Sequence, residues 1–285
     1  MRQSHGSFNF NGGELEDYIG LEKCTLDSVP LIAVNTTAGT ASEISRACLI
    51  IDTKENRKIA IKDKHAIPLL AVNDSMLMLK LPAKLTAATG MDALTHAIES
   101  YTSQNAYAVS KCSALEAVGL IFKYLDKACE EPQNIEFRDN MIYAEFLAGI
   151  SFCNSGLGLV HAMSHQLSST YGLPHGLSNA VLLPYVMEFN AENIPELYDE
   201  LYLRYHWEED TKSMKPGEAT ELLIQEVRRL SEKIGTNVSL EKLNVKKEDF
   251  EIMAEKALID GCYGHTPVKA SKPSIIEIYN KAYLG

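Results

Sequence analysis

Apolar and polar residues change their spacing along this chain at Pro82. Before that point, short apolar runs are closed by Asn or Asp, as in residues 31–35 (LIAVN), 47–52 (ACLIID) and 69–73 (LLAVN). Short β-rich runs that end in turn-forming residues predict strands. We expect residues 58–61 (KIAI) to form a further strand that pairs between the last two.

After Pro82 the segments become long, rich in Ala and Leu, and apolar at every third or fourth position. That spacing predicts amphipathic helices, because a 3.6-residue repeat places such positions on one face. The sequence therefore predicts a small α/β part over residues 1–82, followed by an all-helical part over residues 83–285. We place the helices near residues 83–103, 107–127, 136–153, 157–170, 176–189, 194–205, 216–234, 247–258 and 272–283.

Composition and charge narrow the class of protein. The 285 residues are 46% hydrophobic, which allows a substantial core, and carry a formal net charge of -11. Nucleic acid is not expected as a partner, because phosphate binders concentrate Lys and Arg. No apolar run approaches a membrane span, and residues 1–11 contain no apolar signal segment. The cysteines lie far apart, as reduced packing thiols do, and we expect a cytoplasmic protein without a membrane partner.

Four of the eight histidines fall into two groups. Asp92 and His96 are four residues apart on a predicted helix, so their side chains share one face. His161 and His165 repeat that spacing on another helix, and His175 stands at the start of the next. Either pair alone favours a helix cap or a core histidine over a metal ligand. Together, three imidazoles and one carboxylate on apolar helices predict a site for Fe²⁺ or Zn²⁺.

Three segments resemble the signature regions of the iron-dependent (group III) alcohol dehydrogenases. They are TTAGTASE at residues 36–43, TAATGMDALTHAIESY at residues 86–101, and GLVHAMSHQLSSTYGLPHGLSNAVLLPYVMEFN at residues 158–190. Within the family, these segments most resemble those of the propanediol, lactaldehyde and butanol dehydrogenase subgroups. The resemblance implies an α+β arrangement of the dehydroquinate synthase-like fold. In it, residues 1–82 are a truncated nicotinamide-binding α/β remnant and residues 83–285 an all-helical metal-binding catalytic domain.

The resemblance also implies roles for the histidine groups. It makes Asp92, His96, His161 and His175 the metal ligands. His165 then lies beside the substrate and the nicotinamide, where it is either a proton relay or a residue that orients a ligand.

Cofactor contacts are implied in the N-terminal part. Thr36 and Thr37 match cofactor-contacting threonines of the family, and Lys58 matches a lysine that reaches the nicotinamide-side ribose. Without the resemblance, TTAG would be interpreted as a plain turn and Lys58 as a solvated charge.

One element of the family pattern does not occur in these residues. The family places a Gly-Gly-Gly-Ser phosphate-binding loop ahead of the segment that stands here as NGGELEDY at residues 11–18. No GGGS occurs in the 285 residues. Because a dinucleotide needs N–H donors around its pyrophosphate, we expect metal binding with weakened NAD(H) or NADP(H) binding and little dehydrogenase activity.

The implied reaction is reversible hydride transfer between a small alcohol or aldehyde and a nicotinamide cofactor, with the metal as Lewis acid. One alternative is a non-catalytic metal-binding helical remnant of such an enzyme. Another is a related superfamily enzyme, such as a glycerol-type dehydrogenase or a metal-dependent synthase, which the histidine motifs fit less well. Unpaired strand edges and exposed apolar surface favour a homo-oligomer, at least a dimer.

Overall fold

The computed structural model describes residues 11–52, 57–206 and 214–285. Within them, a region of short strands precedes a series of α-helices, as the change of spacing at Pro82 predicts. The strands are β1 (Gly20–Leu21), β2 (Ile32–Val34), β3 (Ala47–Asp52), β4 (Arg57–Lys62) and β5 (Leu70–Val72).

The strands form two small sheets. In the first, β4 lies between β1 and β3, parallel to β1 and antiparallel to β3. In the second, β2 pairs in parallel with β5. The expected pairing of residues 58–61 is thus confirmed for β3 but wrong for β5. A strand has two hydrogen-bonding edges, and the second edge of β4 is taken by β1, so that β5 pairs with β2 instead.

The nine predicted helices are confirmed to within three residues at each end in the described part of the chain. Gly172 ends the fourth in the left-handed conformation, with φ 65°, that suits a helix C-terminus. The helices are α1 (Ala83–Thr102), α2 (Ala108–Glu130), α3 (Ile135–Ser155), α4 (Leu159–Tyr171), α5 (His175–Ala191), α6 (Pro195–Tyr205), α7 (Glu218–Lys233), α8 (Phe250–Leu258) and α9 (Lys272–Leu284).

Helix α1 runs through the main core, where it packs on α2, α3 and α5. It is buried without interruption from Gly90 to Thr102. Gly90 permits the close approach of α2, because a Cβ there would lie 2.2 Å from a methyl carbon of Leu125. Burying a charged side chain costs free energy unless it is paired, so the charged side chains on this buried helix indicate a candidate functional site.

A second, smaller core lies under the first sheet. It contains Tyr18, Cys24, Cys48, Ile61 and Ala66, and is separate from the helical core. Among the described helices, none alone has the length and apolar composition of a membrane span; α3 and α4 reach both only together, bent by 105°.

Candidate functional site

Three helices bring the four predicted metal ligands to one point. Asp92 and His96 lie one turn apart on α1. His161 lies near the start of α4, and His175 is the first residue of α5. Around Oδ1 of Asp92, the Nε2 atoms of His96, His161 and His175 lie at 3.8, 3.7 and 3.6 Å, respectively. One ligand atom each of Asp92, His96 and His161 lies within 4.8 Å of the others.

The opposite nitrogens of two rings are held by other groups. Nδ1 of His96 lies 3.1 Å from the carbonyl oxygen of Gly39, and Nδ1 of His161 lies 2.6 Å from Oε2 of Glu99. With the proton on Nδ1, the Nε2 lone pair of His96 faces the cluster, as metal ligation requires. Burial lowers the pKa of His161, but Asp92 and Glu99 outweigh this and raise it to about 9, so that ring must release its Nε2 proton to bind a metal.

The spacing of the cluster fits one divalent ion. Ligand atoms that share a tetrahedral ion at about 2.1 Å lie roughly 3.4 Å apart. The distances of 3.6 to 3.8 Å around Asp92 need only a small closing movement to reach that value. A set of three imidazoles and one carboxylate suits Fe²⁺ or Zn²⁺.

The protonation states of three ligands also suit a metal. Burial would raise the pKa of Asp92, but the neighbouring imidazoles, led by His96, hold it well below its ordinary value. Burial lowers the pKa of His96 to about 4 and that of His175 well below its ordinary value. The carboxylate is therefore ionised and both rings are neutral near neutral pH, which are the forms that ligate.

Glu99 is a further residue of the candidate site, which the sequence analysis did not identify. Its carboxylate, on α1, accepts hydrogen bonds from the N–H groups of Gly158 at 3.0 Å and Val160 at 2.6 Å, besides contacting His161. It therefore caps the N-terminus of α4 and orients a ligand on that helix at once. Its spacing carried a signal, because Glu99 follows Asp92 by seven residues and lies on the same helical face.

Asn179 is a second such residue. It is fully buried on α5, and its Nδ2 lies 2.6 Å from Oδ1 of Asp92. The same nitrogen lies 3.2 Å from Nε2 of His161 and 3.4 Å from Nε2 of His175. Asn179 thus donates a hydrogen bond that holds the carboxylate toward the rings. Its position four residues after His175, one turn along the same face, was the available signal.

His165 is held by a distant carboxylate. Its Nδ1 lies 2.9 Å from Oδ2 of Asp260, which follows α8. Burial lowers the pKa of His165, although Asp260 opposes the shift. Its Nε2 is buried and has no hydrogen-bond partner among the described residues. His165 is therefore a neutral ring with a free acceptor, stacked on His175 at 5.3 Å between centroids.

Cys262 lies beside His165 and Asp260. One potential metal-ligating atom of each of the three residues lies within 4.8 Å of the other two. The backbone N–H of Cys262 donates to Asp260 at 2.8 Å. Because Asp260 already binds Nδ1 of His165, the arrangement is that of an oriented histidine. No local spacing predicts it, since Asp260 lies 95 residues after His165.

A cleft of about 810 Å³ opens onto these groups, between the first sheet and helices α3 and α4. Lys58 of β4 lines it together with the four ligands and His165. Burial lowers the pKa of Lys58, whereas Asp92 and Asp260 raise it. Thr36 is exposed and Thr37 half-buried in the loop after β2, and neither is among the described residues that line the cleft.

Models of known protein families match this chain over the residues that form the candidate site. A model of the Fe-containing alcohol dehydrogenase family, C-terminal part, matches residues 86–283, and a model of iron-containing alcohol dehydrogenase matches residues 7–75. The chain belongs to the iron-containing alcohol dehydrogenase family, a class of metal-dependent oxidoreductases. The resemblance of its three motif segments is thereby confirmed.

Individual relatives are similar over most of the chain. A 1,3-propanediol dehydrogenase of Citrobacter freundii is 44% identical over 271 residues, which cover 95% of this chain and 70% of that protein. An NAD-dependent methanol dehydrogenase of Bacillus methanolicus is 38% identical over 272 residues, covering 95% and 71%. A crystal structure of 1,3-propanediol oxidoreductase superposes with a TM-score of 0.94 and 41% identity, covering 98% of this chain and 73% of that one.

Proposed function

We propose that this chain catalyses reversible hydride transfer between a small alcohol or aldehyde and a nicotinamide cofactor, with Asp92, His96, His161 and His175 as the ligands of a divalent iron ion. The activity is expected to be low, because these residues lack the GGGS segment that would bind the pyrophosphate of the cofactor. The observation that carries the proposal is the convergence of three Nε2 atoms on one carboxylate oxygen inside the cleft. When bound, the ion supplies Lewis acidity at the substrate oxygen and the nicotinamide accepts or returns the hydride.

His165 moves the proton in this proposal. Asp260 occupies Nδ1 and leaves Nε2 as a buried acceptor without a hydrogen-bond partner among the described residues, on a ring that contacts those of His161 and His175. That nitrogen accepts the proton which the alcohol hydroxyl loses on oxidation, and returns it on reduction. Asp260 fixes the tautomer and stabilises the imidazolium that forms.

The wall of the cleft beside the proposed ligands is partly apolar. The ring of Phe152 lies 4.5 Å from that of His96, and Leu157 and Ile259 line the same cleft. Such walls exclude water from the reacting carbon and favour a short carbon chain.

The cofactor is proposed to lie along the N-terminal part of the chain. The domains proposed are residues 1–82 for the nucleotide and residues 83–285 for the metal. The separate small core under the first sheet supports this division, although Ala38 and Met78 pack in the helical core. Lys58 reaches the same cleft as the ligands and is proposed to bind the nicotinamide-side ribose. Thr36 and Thr37 are proposed to contact the cofactor beside it. NAD is the first choice, because the relative from Bacillus methanolicus is named NAD-dependent.

The location and the oligomeric state of the protein are also proposed. All six cysteines are free thiols, which agrees with a cytoplasmic location. We further propose at least a homodimer, from the apolar side chains that β2 and β5 expose.

The test is an assay of the iron-loaded 285-residue protein with NAD⁺ and a series of small primary alcohols and diols. Formation of NADH that depends on the added metal supports the proposal. Full iron occupancy without NADH formation would favour the alternative of a non-catalytic metal-binding protein. The lack of a GGGS segment in these residues supports that alternative. Failure to bind any divalent ion would contradict both.

A further inference from the structure

Residues 36–43, named here the 36–43 loop, join the strand region to the metal ligands. The carbonyl oxygen of Gly39 lies 3.1 Å from Nδ1 of His96. The loop backbone lies directly on α1 at this point, because a Cβ at Gly39 would stand 2.7 Å from the carbonyl oxygen of Thr89. The orientation of one ligand ring therefore depends on where this loop lies.

Helix α3 holds the other side of the 36–43 loop through Glu145, a fully buried carboxyl. The carboxyl accepts a hydrogen bond from the backbone N–H of Ala41, and its oxygens lie 3.4 and 3.5 Å from Nδ2 of Asn35. One turn further along α3, Gly149 leaves room for the loop, since a Cβ there would lie 2.5 Å from Cβ of Ala41. The loop is thus seated on α3 at two successive turns.

The backbone of the 36–43 loop is strained at Ala41. Its φ of 47° lies in the left-handed region, which a residue with a Cβ rarely adopts. Such a conformation persists only where the surroundings fix it. The hydrogen bond from Ala41 to Glu145 is the contact that can do so.

A second buried carboxyl closes the arrangement. Glu43, 1% exposed at the end of the loop, lies against Glu145 and accepts a hydrogen bond from Nδ2 of Asn73 at 3.2 Å. Among the ion pairs of the described residues, neither carboxyl has a cationic partner. Burial and the neighbouring Glu43 raise the pKa of Glu145 well above its ordinary value, so the neutral form of Glu145 is favoured.

We infer that Glu145 is a positioning residue: by holding Ala41 and Glu43 it seats the 36–43 loop on α3, so that Gly39 orients the ring of His96. The inference rests on the proposed metal site for the role of His96. A neutral Glu145 has the hydrogen-bonding groups of an amide side chain: one oxygen accepts from the N–H of Ala41, and its hydroxyl is available to the buried Oε2 of Glu43, which has no hydrogen-bond partner among the described residues. A glutamine should therefore replace it, and an apolar side chain should not.

The test uses the metal-free full chain titrated with Co²⁺, whose visible spectrum reports the ligand geometry. We expect Glu145→Gln to bind Co²⁺ within about twofold of the native protein and with the same spectrum. Glu145→Leu leaves the N–H of Ala41 unpaired and should weaken Co²⁺ binding by about 10-fold or more, as the loss of an outer contact to a ligand does. Asn35→Ala, a milder change at the same carboxyl, should fall between the two. Glu136→Leu on an exposed face of α3 is the matched control and should behave as the native protein.

Three results would overturn the inference. An altered spectrum or a tenfold loss in Glu145→Gln would show that an ionised carboxylate is needed. Unchanged binding in both Glu145→Leu and Asn35→Ala would refute the role of Glu145 while leaving the metal site intact. Absence of Co²⁺ binding by the native protein would refute the metal site and this inference with it.

Discussion

Glu99 on α1 holds His161 on α4 through a contact of 2.6 Å between Oε2 and Nδ1. The same carboxylate receives the first free N–H groups of α4. The position of the helix and the orientation of its ligand are therefore set by one side chain of the neighbouring helix. Two of the four proposed ligands also lie on α1, so this helix organises most of the candidate site.

Glu99→Gln should weaken metal binding by about 10- to 100-fold, because a neutral amide is a poorer acceptor for the imidazole N–H. The measurement is a competition titration of the metal-free protein against a chelator of known affinity. Glu116→Gln, on an exposed part of α2, serves as the control and should leave the affinity unchanged. Equal affinities for the two variants would show that Glu99 only caps α4.

His165→Ala should leave the metal in place and lower kcat by roughly 100- to 10,000-fold, the usual contribution of a positioned acid or base. Asp260→Asn should lower kcat in the same direction without loss of metal, since it disturbs the tautomer of His165. The double variant should be little slower than His165→Ala, because the two residues act as one unit. Loss of metal in His165→Ala would instead support the alternative role, that of a residue that orients a ligand.

The sequence predicted the helices, and the four residues that the fold brings together as candidate ligands, because both signals are local. The apolar spacing after Pro82 defines each helix within its own segment, and the four-residue spacing of Asp92 and His96 places both on one face. Asp260 could not be found in this way, since only the tertiary fold brings it to His165. The pairing of β4 with β1 could not be predicted from the sequence either, because strand pairing depends on which strand edges remain free in the fold.

Glu99 and Asn179 are intermediate cases. Each lies at helical spacing from a ligand, so the signal was present in the sequence. Buried polar residues on helices have many structural roles, however, and only the distances to His161 and Asp92 place them beside the proposed metal ligands. The assignment of Thr36, Thr37 and Lys58 to the cofactor stays a prediction.

The stability of the protein should depend on pH through Glu145. Its raised pKa means that the folded chain keeps a proton which the unfolded chain releases above the ordinary value of 4.5. Stability therefore falls as the pH rises from there toward the folded pKa. Glu145→Gln removes this contribution, so its Tm should decline less than that of the native protein as the pH rises above 4.5. Parallel declines would indicate that the carboxyl is already ionised in the folded state.

The association of the chain can be tested on the sheet of β2 and β5. Ile32, Val34 and Leu70 are 58%, 52% and 52% exposed there, which leaves an apolar strip uncovered. We expect at least a dimer by light scattering at roughly micromolar concentration, and a larger monomer fraction for Val34→Lys. Val109→Lys, at a comparably exposed valine of α2, is the control. A monodisperse native monomer would contradict this expectation.

The metal content of the purified protein tests the central claim most directly. Protein prepared without chelator should carry about one divalent ion per chain by elemental analysis. His161→Ala and His175→Ala should each abolish it, because three remaining ligands hold the ion much more weakly. His206→Ala, at a histidine outside the cleft, should retain full occupancy. Full occupancy in His161→Ala and His175→Ala would contradict the assignment of the metal site.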